Sequence, residues 1–255
     1  MDLHLDESTV LLYKSNSQKI RVISEKWFEK NMYCPNCGNP KIQRADNNKP
    51  VADFQCNNCD QIFELKSKNG SLGAKIVDGA YSTMIERITS ASNPDLFLLQ
   101  YSEKYDITDL TLIPKFFFVP DIIEKRKQLA LTAKRAGWVG CNILLCGIPE
   151  QCKISVIIKQ LIQNRQDVIS SYNRIKKLKI DSIDNRGWLL DVLNCVESID
   201  KREFCLKDVY EFTEKLQKKH IHNKNVEAKI RQQLQFIRDK GFIEFLGKGR
   251  YRKLF

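Results

Sequence analysis

The sequence predicts an α/β fold: a mixed sheet flanked by helices, with a metal-binding insertion. A C-terminal winged helix-turn-helix follows it. Three observations carry that expectation. Helical and strand periodicities alternate through residues 1–182. Two Cys-x-x-Cys pairs, Cys34/Cys37 and Cys56/Cys59, interrupt the alternation early. Residues 183–255 read as three short helices followed by a basic hairpin.

In chain order, residues 17–31 place Ile20, Ile23, Trp27 and Phe28 on one face of a helix, with lysines and glutamates opposite. Residues 51–55 and 62–67 alternate apolar with polar, as two antiparallel strands do. Asn69-Gly70 is a turn. A helical period returns over residues 72–88, and Asn93-Pro94 stops it. The apolar runs at 96–101, 110–119 and 139–145 read as strands buried on both faces. Residues 153–162 read as a helix, and the lysine-rich segment 170–184 as a linker with a boundary near Asp181. Beyond it, 188–196 and 206–216 are helices. Asn225 is the expected N-cap of a third helix, with Val226, Ile230, Leu234 and Ile237 as its buried stripe and Gly241 as its stop.

Composition narrows the function. The 255 residues carry a net charge of +11 and a pI near 9.2, which favours a polyanionic partner, double-stranded DNA first. The longest apolar runs, at 116–119 and 143–145, are far too short for a bilayer, so no membrane partner is expected. The acidic N-terminus is unlike a signal peptide, and an odd count of nine cysteines argues against complete disulfide pairing. A cytoplasmic setting is expected. Nothing in the residues requires an oligomer, and a monomer is compatible with them.

The two cysteine pairs have the spacing of a structural Zn²⁺ site, each pair on one tight turn. Four thiolates leave no open position for substrate. Gly38 suits the first turn. Cys141, Cys146, Cys152, Cys195 and Cys205 lack such pairing and read as core or incidental residues.

A second chemistry is interleaved with the first. Asp53 precedes Glu64-Leu65-Lys66 by one hairpin. Glu64 and Lys66 share a strand face because side chains alternate with period two. Asp53 and Glu64 are expected to hold Mg²⁺, and Lys66 to position or help deprotonate water and to stabilise developing charge. The histidines His4, His220 and His222 are expected outside the sheet domain, which argues against a histidine-metal nuclease.

This order and spacing resembles the PD-(D/E)xK nuclease superfamily, which includes many restriction endonucleases. The resemblance implies a restriction-endonuclease-like fold with Asp53, Glu64 and Lys66 as metal and catalytic residues. The family also often carries an acid on its first helix, for which Glu25 and Glu29 are both candidates. Ala52 stands where the family commonly has proline, and Pro50 lies three positions before Asp53. Over its full length the chain resembles the methyl-directed Dpn type II restriction endonucleases. That resemblance alone implies double-strand cuts at GATC carrying N6-methyladenine.

The third C-terminal helix is expected to present Lys229, Arg231, Gln232, Gln233, Gln235 and Arg238 to DNA, glutamine suiting adenine in the major groove. The hairpin offers Lys248, Arg250, Arg252 and Lys253 to phosphates. From residue 224 onward, nine Lys/Arg face three Asp/Glu. A methyl group in an apolar pocket separates ligands by only about 1–3 kcal/mol, so both domains are expected to read the site. Trp138 and Trp188 are candidate apolar walls, although core roles suit both better. Two rival readings remain: a zinc-ribbon, winged-helix regulator without catalysis, and a structure-specific repair nuclease. Metal-dependent strand cleavage separates the first rival, and sequence dependence of cutting the second.

Overall fold

The structure, a computed structural model, describes residues 1–10, 13, 15–45, 52–90 and 92–255. Val51 and Pro50 therefore lie outside the described residues. The chain divides into two compact units. The first comprises Met1–Leu145 and Cys152–Lys176, the second Cys146–Gln151 and Lys177–Phe255.

In the first unit, helix α1 (Asn16–Asn31) leads to strands β1 (Gln43–Arg44), β2 (Phe54–Gln55), β3 (Ile62–Asn69) and β4 (Lys75–Ala80). Helix α2 (Tyr81–Thr89) and strands β5 (Asp95–Tyr101), β6 (Ile107–Ile113), β7 (Ile123–Lys125), β8 (Gly140–Leu144), β9 (Ile154–Ile158) and β10 (Leu161–Ile162) follow. Helix α3 (Arg165–Lys176) closes the unit. Seven strands form one sheet in the order β1-β2-β3-β5-β6-β9-β10. Only β3 and β5 pair in parallel, through the α2 crossover, and the other neighbours are antiparallel. The fold is thus a mixed sheet flanked by helices. A separate antiparallel sheet has the order β4-β8-β7.

The buried face of α1 docks on the main sheet. Phe28 is fully buried. Its ring lies 4.5 Å from Phe54 and 4.8 Å from Phe97, and Phe63 lies 5.6 Å from Phe97. Such tilted and edge pairs add about 0.5–1.5 kcal/mol each beyond area burial. Phe28→Ala should cost about 3–5 kcal/mol in a denaturant titration. A loss under 1 kcal/mol would mean that the helix docks by other contacts.

Helix α3 buries Val168, Tyr172 and Ile175. The Tyr172 hydroxyl donates to Asp95 Oδ2 at 2.8 Å, and the Lys115 N–H donates to Asp95 Oδ1 at 2.8 Å. Burial pushes Asp95 from the ordinary 3.8 up to about 6, against the pull of those two donors. The folded state therefore holds this proton more tightly than the unfolded chain. That stability is fully present below the unfolded pKa and is lost as pH rises through the folded value. Two pKa units correspond to about 3 kcal/mol. The stability of Asp95→Asn relative to the parent should swing by that amount in the variant's favour between about pH 4 and pH 7. Denaturant titrations across this range check it, and no swing would mean that Asp95 ionises in the fold as it does in water.

Four expectations from sequence fail here. Residues 153–162 form the β9–β10 hairpin, not a helix. Ile154, Val156 and Ile157 are buried β-branched residues that suit a pleated surface. Lys159 and Gln160 take φ of 48° and 65°, both positive as in a two-residue hairpin turn. Residues 72–88 split into β4 and α2, because pairing with β8 claims the first half. Residues 170–184 are not all linker, since α3 runs to Lys176. The expected strand at 110–119 ends at Ile113, because Pro114 lacks the N–H that would continue the ladder.

In the second unit, helix α4 (Ile183–Ser198) is capped by Ser182, whose side chain accepts from the Asn185 N–H at 3.4 Å. Strand β11 (Glu203–Cys205), helices α5 (Leu206–Tyr210), α6 (Thr213–Lys219) and α7 (Val226–Asp239), and strands β12 (Ile243–Gly247) and β13 (Arg250–Lys253) follow. The strands form a sheet in the order β11-β13-β12. This is a helix-turn-helix with a β-hairpin wing. The single helix expected at 206–216 is broken into α5 and α6. Asn225 stands at the N-cap of α7 without a side-chain capping bond. The stripe Val226, Ile230, Leu234 and Ile237 is buried, and Gly241 at φ 75° follows the helix end.

Candidate active site and zinc knuckle

Strand β3 positions the centre of the site. Asp53 is tied to it by its own N–H, which donates to the Phe63 carbonyl at 3.0 Å, and by Oδ2, which accepts from the Leu65 N–H at 2.9 Å. Glu64 and Lys66 project from the same strand, and Lys66 Nζ lies 2.6 Å from Glu64 Oε1. Asp53, Glu64 and Lys66 all line one cleft of about 470 Å³. Glu25 of α1 lines it too, whereas Glu29 does not line it and pairs with Arg44, a lining residue, at 3.2 Å.

Three residues that the sequence reading did not single out complete this cleft. Asp78, on β4, accepts from Lys66 Nζ at 2.7 Å. Arg87, on α2, places Nη1 3.9 Å from Glu64 Oε2. Arg21, on α1, pairs with Glu25 at 2.6 Å and lies 3.9 Å from Asp53 Oδ1. Asp78 and Arg87 both lie in the stretch 72–88 that reads as one helix, and for Asp78 it is strand register that decides whether the side chain reaches the cleft.

Electrostatics follow from crowding. Burial raises the Glu64 pKa, and Asp78 adds to the rise against Lys66 and Arg87. Burial opposes the Lys66 ammonium, but the carboxylates of Glu64 and Asp78 outweigh it and hold its pKa above the usual lysine range. Lys66 is therefore a fixed cation rather than a proton acceptor. A desolvated carboxylate such as Glu64 beside Asp53 is a hard oxygen donor set of the kind that suits Mg²⁺.

Next to this cleft the four cysteines meet. Their Sγ atoms all lie within 4.8 Å of one another. Cys34 and Cys59 are 3.6 Å apart, as are Cys37 and Cys56. The two turns repeat one geometry. The Gly38 and Asp60 N–H groups donate to the Cys34 and Cys56 carbonyls, both at 2.9 Å, at φ of 74° and 54°. The Asn36 amide points at Cys59 Sγ at 3.3 Å. Burial pushes the Cys34 and Cys59 thiols up. Burial also opposes ionisation of Cys37, yet the Asn58 side chain and the Asn39 N–H lower it to about 6. These two thiols resist ionisation without a counter-charge, which a cation such as Zn²⁺ would supply. Helix α3 buttresses the knuckle. Arg165 donates to the Gly38 carbonyl and stacks over Tyr33, and Lys176 Nζ donates to Asn36 Oδ1 at 2.8 Å.

His4, expected outside the sheet domain, lies instead within the first unit, where it bridges to Asp106 and pairs with its carboxylate at 2.9 Å. It lines no part of the cleft.

In the second unit, Arg231, Gln232 and Gln235 of α7 are exposed, as are Lys248 and Arg250 of the wing. Lys229 is half-buried and donates to Asn185 Oδ1 at 2.7 Å. Arg238, half-buried, pairs with Asp239 at 2.7 Å. Two DNA-contact assignments need correction. Gln233 is only 4% exposed and faces the core, so it cannot present its amide to DNA. Lys253 is buried, with Nζ donating to the Glu197 and Ile199 carbonyls at the end of α4. Arg252 is already paired with Glu203 and Glu244. Trp188 is buried and stacked on His220 at 3.7 Å, which removes it as a wall for a methyl group. Trp138 is half-buried, with the Arg135 guanidinium 4.7 Å over its ring.

An α/β unit with an acid-and-lysine cleft, a four-cysteine knuckle and a winged helix-turn-helix defines the class: a DNA-binding protein of restriction-endonuclease-like build. The sequence profile of DpnI, the Dam-replacing family, matches residues 1–181, and that of the Dam-replacing HTH domain matches residues 184–253. The chain therefore belongs to the Dam-replacing family, a family of restriction endonucleases. Among the described residues, no helix is long and apolar enough to cross a membrane.

Proposed function

We propose that the protein is a Mg²⁺-dependent type II restriction endonuclease that makes double-strand cuts at GATC sites carrying N6-methyladenine. The convergence of Asp53, Glu64 and Lys66 on one cleft beside the zinc knuckle is the observation that carries it. Asp53 and Glu64 would hold Mg²⁺, which when bound polarises the phosphate and stabilises charge on its oxygens. Lys66 contributes a desolvated positive charge where the phosphorane's negative charge grows, a contribution of about 10²–10³ in rate for a single well-placed donor. Arg21 and Arg87 flank the carboxylates and offer further positive charge to the phosphodiester.

On this reading the winged helix supplies Lys229, Arg231, Gln232 and Gln235 to the groove, and Lys248 and Arg250 to the backbone. Both units contribute to recognition of the methyl group, with Trp138 the aromatic candidate in the first. Arg250→Ala and Lys248→Ala should each weaken binding on every sequence and lower the salt slope by about one. An unchanged slope would remove the wing from the interface. Isolated residues 184–255 binding methylated and unmethylated duplexes equally would remove that unit as a methyl reader.

The decisive experiment digests one plasmid, methylated or unmethylated at GATC, with Mg²⁺ or with chelator. Discrete fragments from the methylated form alone, and only with Mg²⁺, are expected. Cutting of both forms would discard methyl dependence and keep the chemistry. Cutting of neither would overturn the nuclease reading in favour of a DNA-binding regulator.

A further inference from the structure

We propose that Asp78 is a positioning residue for cleavage, holding the Lys66 ammonium in place once Glu64 is committed to a metal ion. The proposal rests on the reading of Asp53, Glu64 and Lys66 given above. Lys66 Nζ lies between two carboxylates, 2.6 Å from Glu64 and 2.7 Å from Asp78. A divalent cation on Glu64 draws on that carboxylate's charge and repels the ammonium. Asp78 is then the carboxylate that keeps Lys66 from swinging away.

Asp78 is built for this. Its side chain is only 4% exposed. Its Oδ1 also accepts from the Gly79 N–H at 2.7 Å, which fixes the carboxylate on β4. Its Oδ2 is buried and has no hydrogen-bond partner among the described residues. An unsatisfied buried carboxylate oxygen costs stability, and this one belongs to a residue lining the cleft. The rival use of that oxygen is to bind a second cation shared with Glu64. Lys66 Nζ stands on Glu64 Oε1 and Asp78 Oδ1, so an ammonium already neutralises the two carboxylates such a cation would share.

Several other groups surround Lys66. Arg87 approaches Glu64 from α2, and Cys141 pairs in register with Asp78 from β8. Arg126 faces Cys141, and Asp53, Arg21 and Glu25 line the cleft. Asp78 is the group whose removal takes negative charge from the ammonium without touching the residues assigned to Mg²⁺.

The test measures cleavage of the methylated plasmid for the parent, Asp78→Asn and Asp78→Glu, with DNA affinity measured in Ca²⁺. Asp78→Asn should cut the rate about 10²-fold. Affinity should stay within about twofold, and Asp78→Glu should recover part of the rate. An unchanged rate would overturn the proposal. So would a lost rate with no rescue by Glu, which marks a structural role. Recovery of Asp78→Asn by raised Mg²⁺ would assign the oxygen to a second cation instead. ¹⁵N spectra of the metal-free protein supply a readout without activity. One slowly exchanging lysine ammonium signal should be present in the parent, absent in Lys66→Ala and lost or broadened in Asp78→Asn. The same signal unchanged in Asp78→Asn would sink the proposal. If the parent cuts no DNA, the nuclease reading fails by itself, while the spectra still decide the Lys66–Asp78 contact.

Discussion

Lys66→Ala should lower the cleavage rate by about 10³-fold or more while DNA affinity stays within about twofold. The expected loss is large because two buried carboxylates hold Lys66 charged where the transition state gains negative charge. The substitution also strands those carboxylates. Lys66 is partly exposed, with 26% of its side chain accessible, so the stability loss should be about 1–3 kcal/mol and not that of a fully buried pair. The double variant Lys66→Ala/Asp78→Asn separates the two effects. It removes a stranded charge and should regain most of the stability without regaining cleavage. A single variant that loses DNA binding and folding, with activity returning in the double variant, would make Lys66 structural.

What the sequence made legible was local. The cysteine pairs and Glu64-x-Lys66 declare themselves by spacing, because one turn and one strand face are set by the next few residues. Asp78 could not be found that way. Its place beside Lys66 depends on β4 pairing with β8, more than sixty residues distant in the chain for Asp78↔Cys141. The apolar positions of residues 72–88 also fit a helical period by coincidence. The β9–β10 turn lacked the Asn-Gly signal that its backbone shape favours.

Gln233 is a different kind of miss. It lies three residues after Ile230 and four before Ile237, on the same stripe as the apolar residues, and that spacing was available in the sequence. Its amide chemistry suggested adenine, while its position dictated burial. Lys253 likewise satisfies helix-end carbonyls instead of phosphate. In a basic domain, charge alone does not say which cations are free to meet a partner.

Removing zinc should produce the second large effect. The parent should carry one Zn²⁺ per chain, and chelation or Cys56→Ser should lower the melting temperature and abolish cleavage. Structural zinc contributes about 10–16 kcal/mol of apparent binding free energy in small zinc-finger peptides at neutral pH, and part of that becomes folding free energy here. The damage should fall first on the cleft. Cys56 follows β2 directly, and Asp53 precedes it. The Ala45 N–H donates to the Asp53 carbonyl at 3.0 Å, which ties Asp53 to the strand leaving the first knuckle. Once the turns part, Asp53 loses its register against β3, whereas β5, β6 and β9 keep their pairing and core. The winged helix-turn-helix has its own core, so a weak DNA affinity should survive. Zinc affinity should fall as pH falls, because the thiolates must be deprotonated and desolvation raises the pKa of Cys34 and Cys59. Metal analysis, thermal melts and plasmid cleavage on the same samples check all of this. A zinc-free protein with unchanged melting temperature and full activity would show that the four cysteines hold no structural metal.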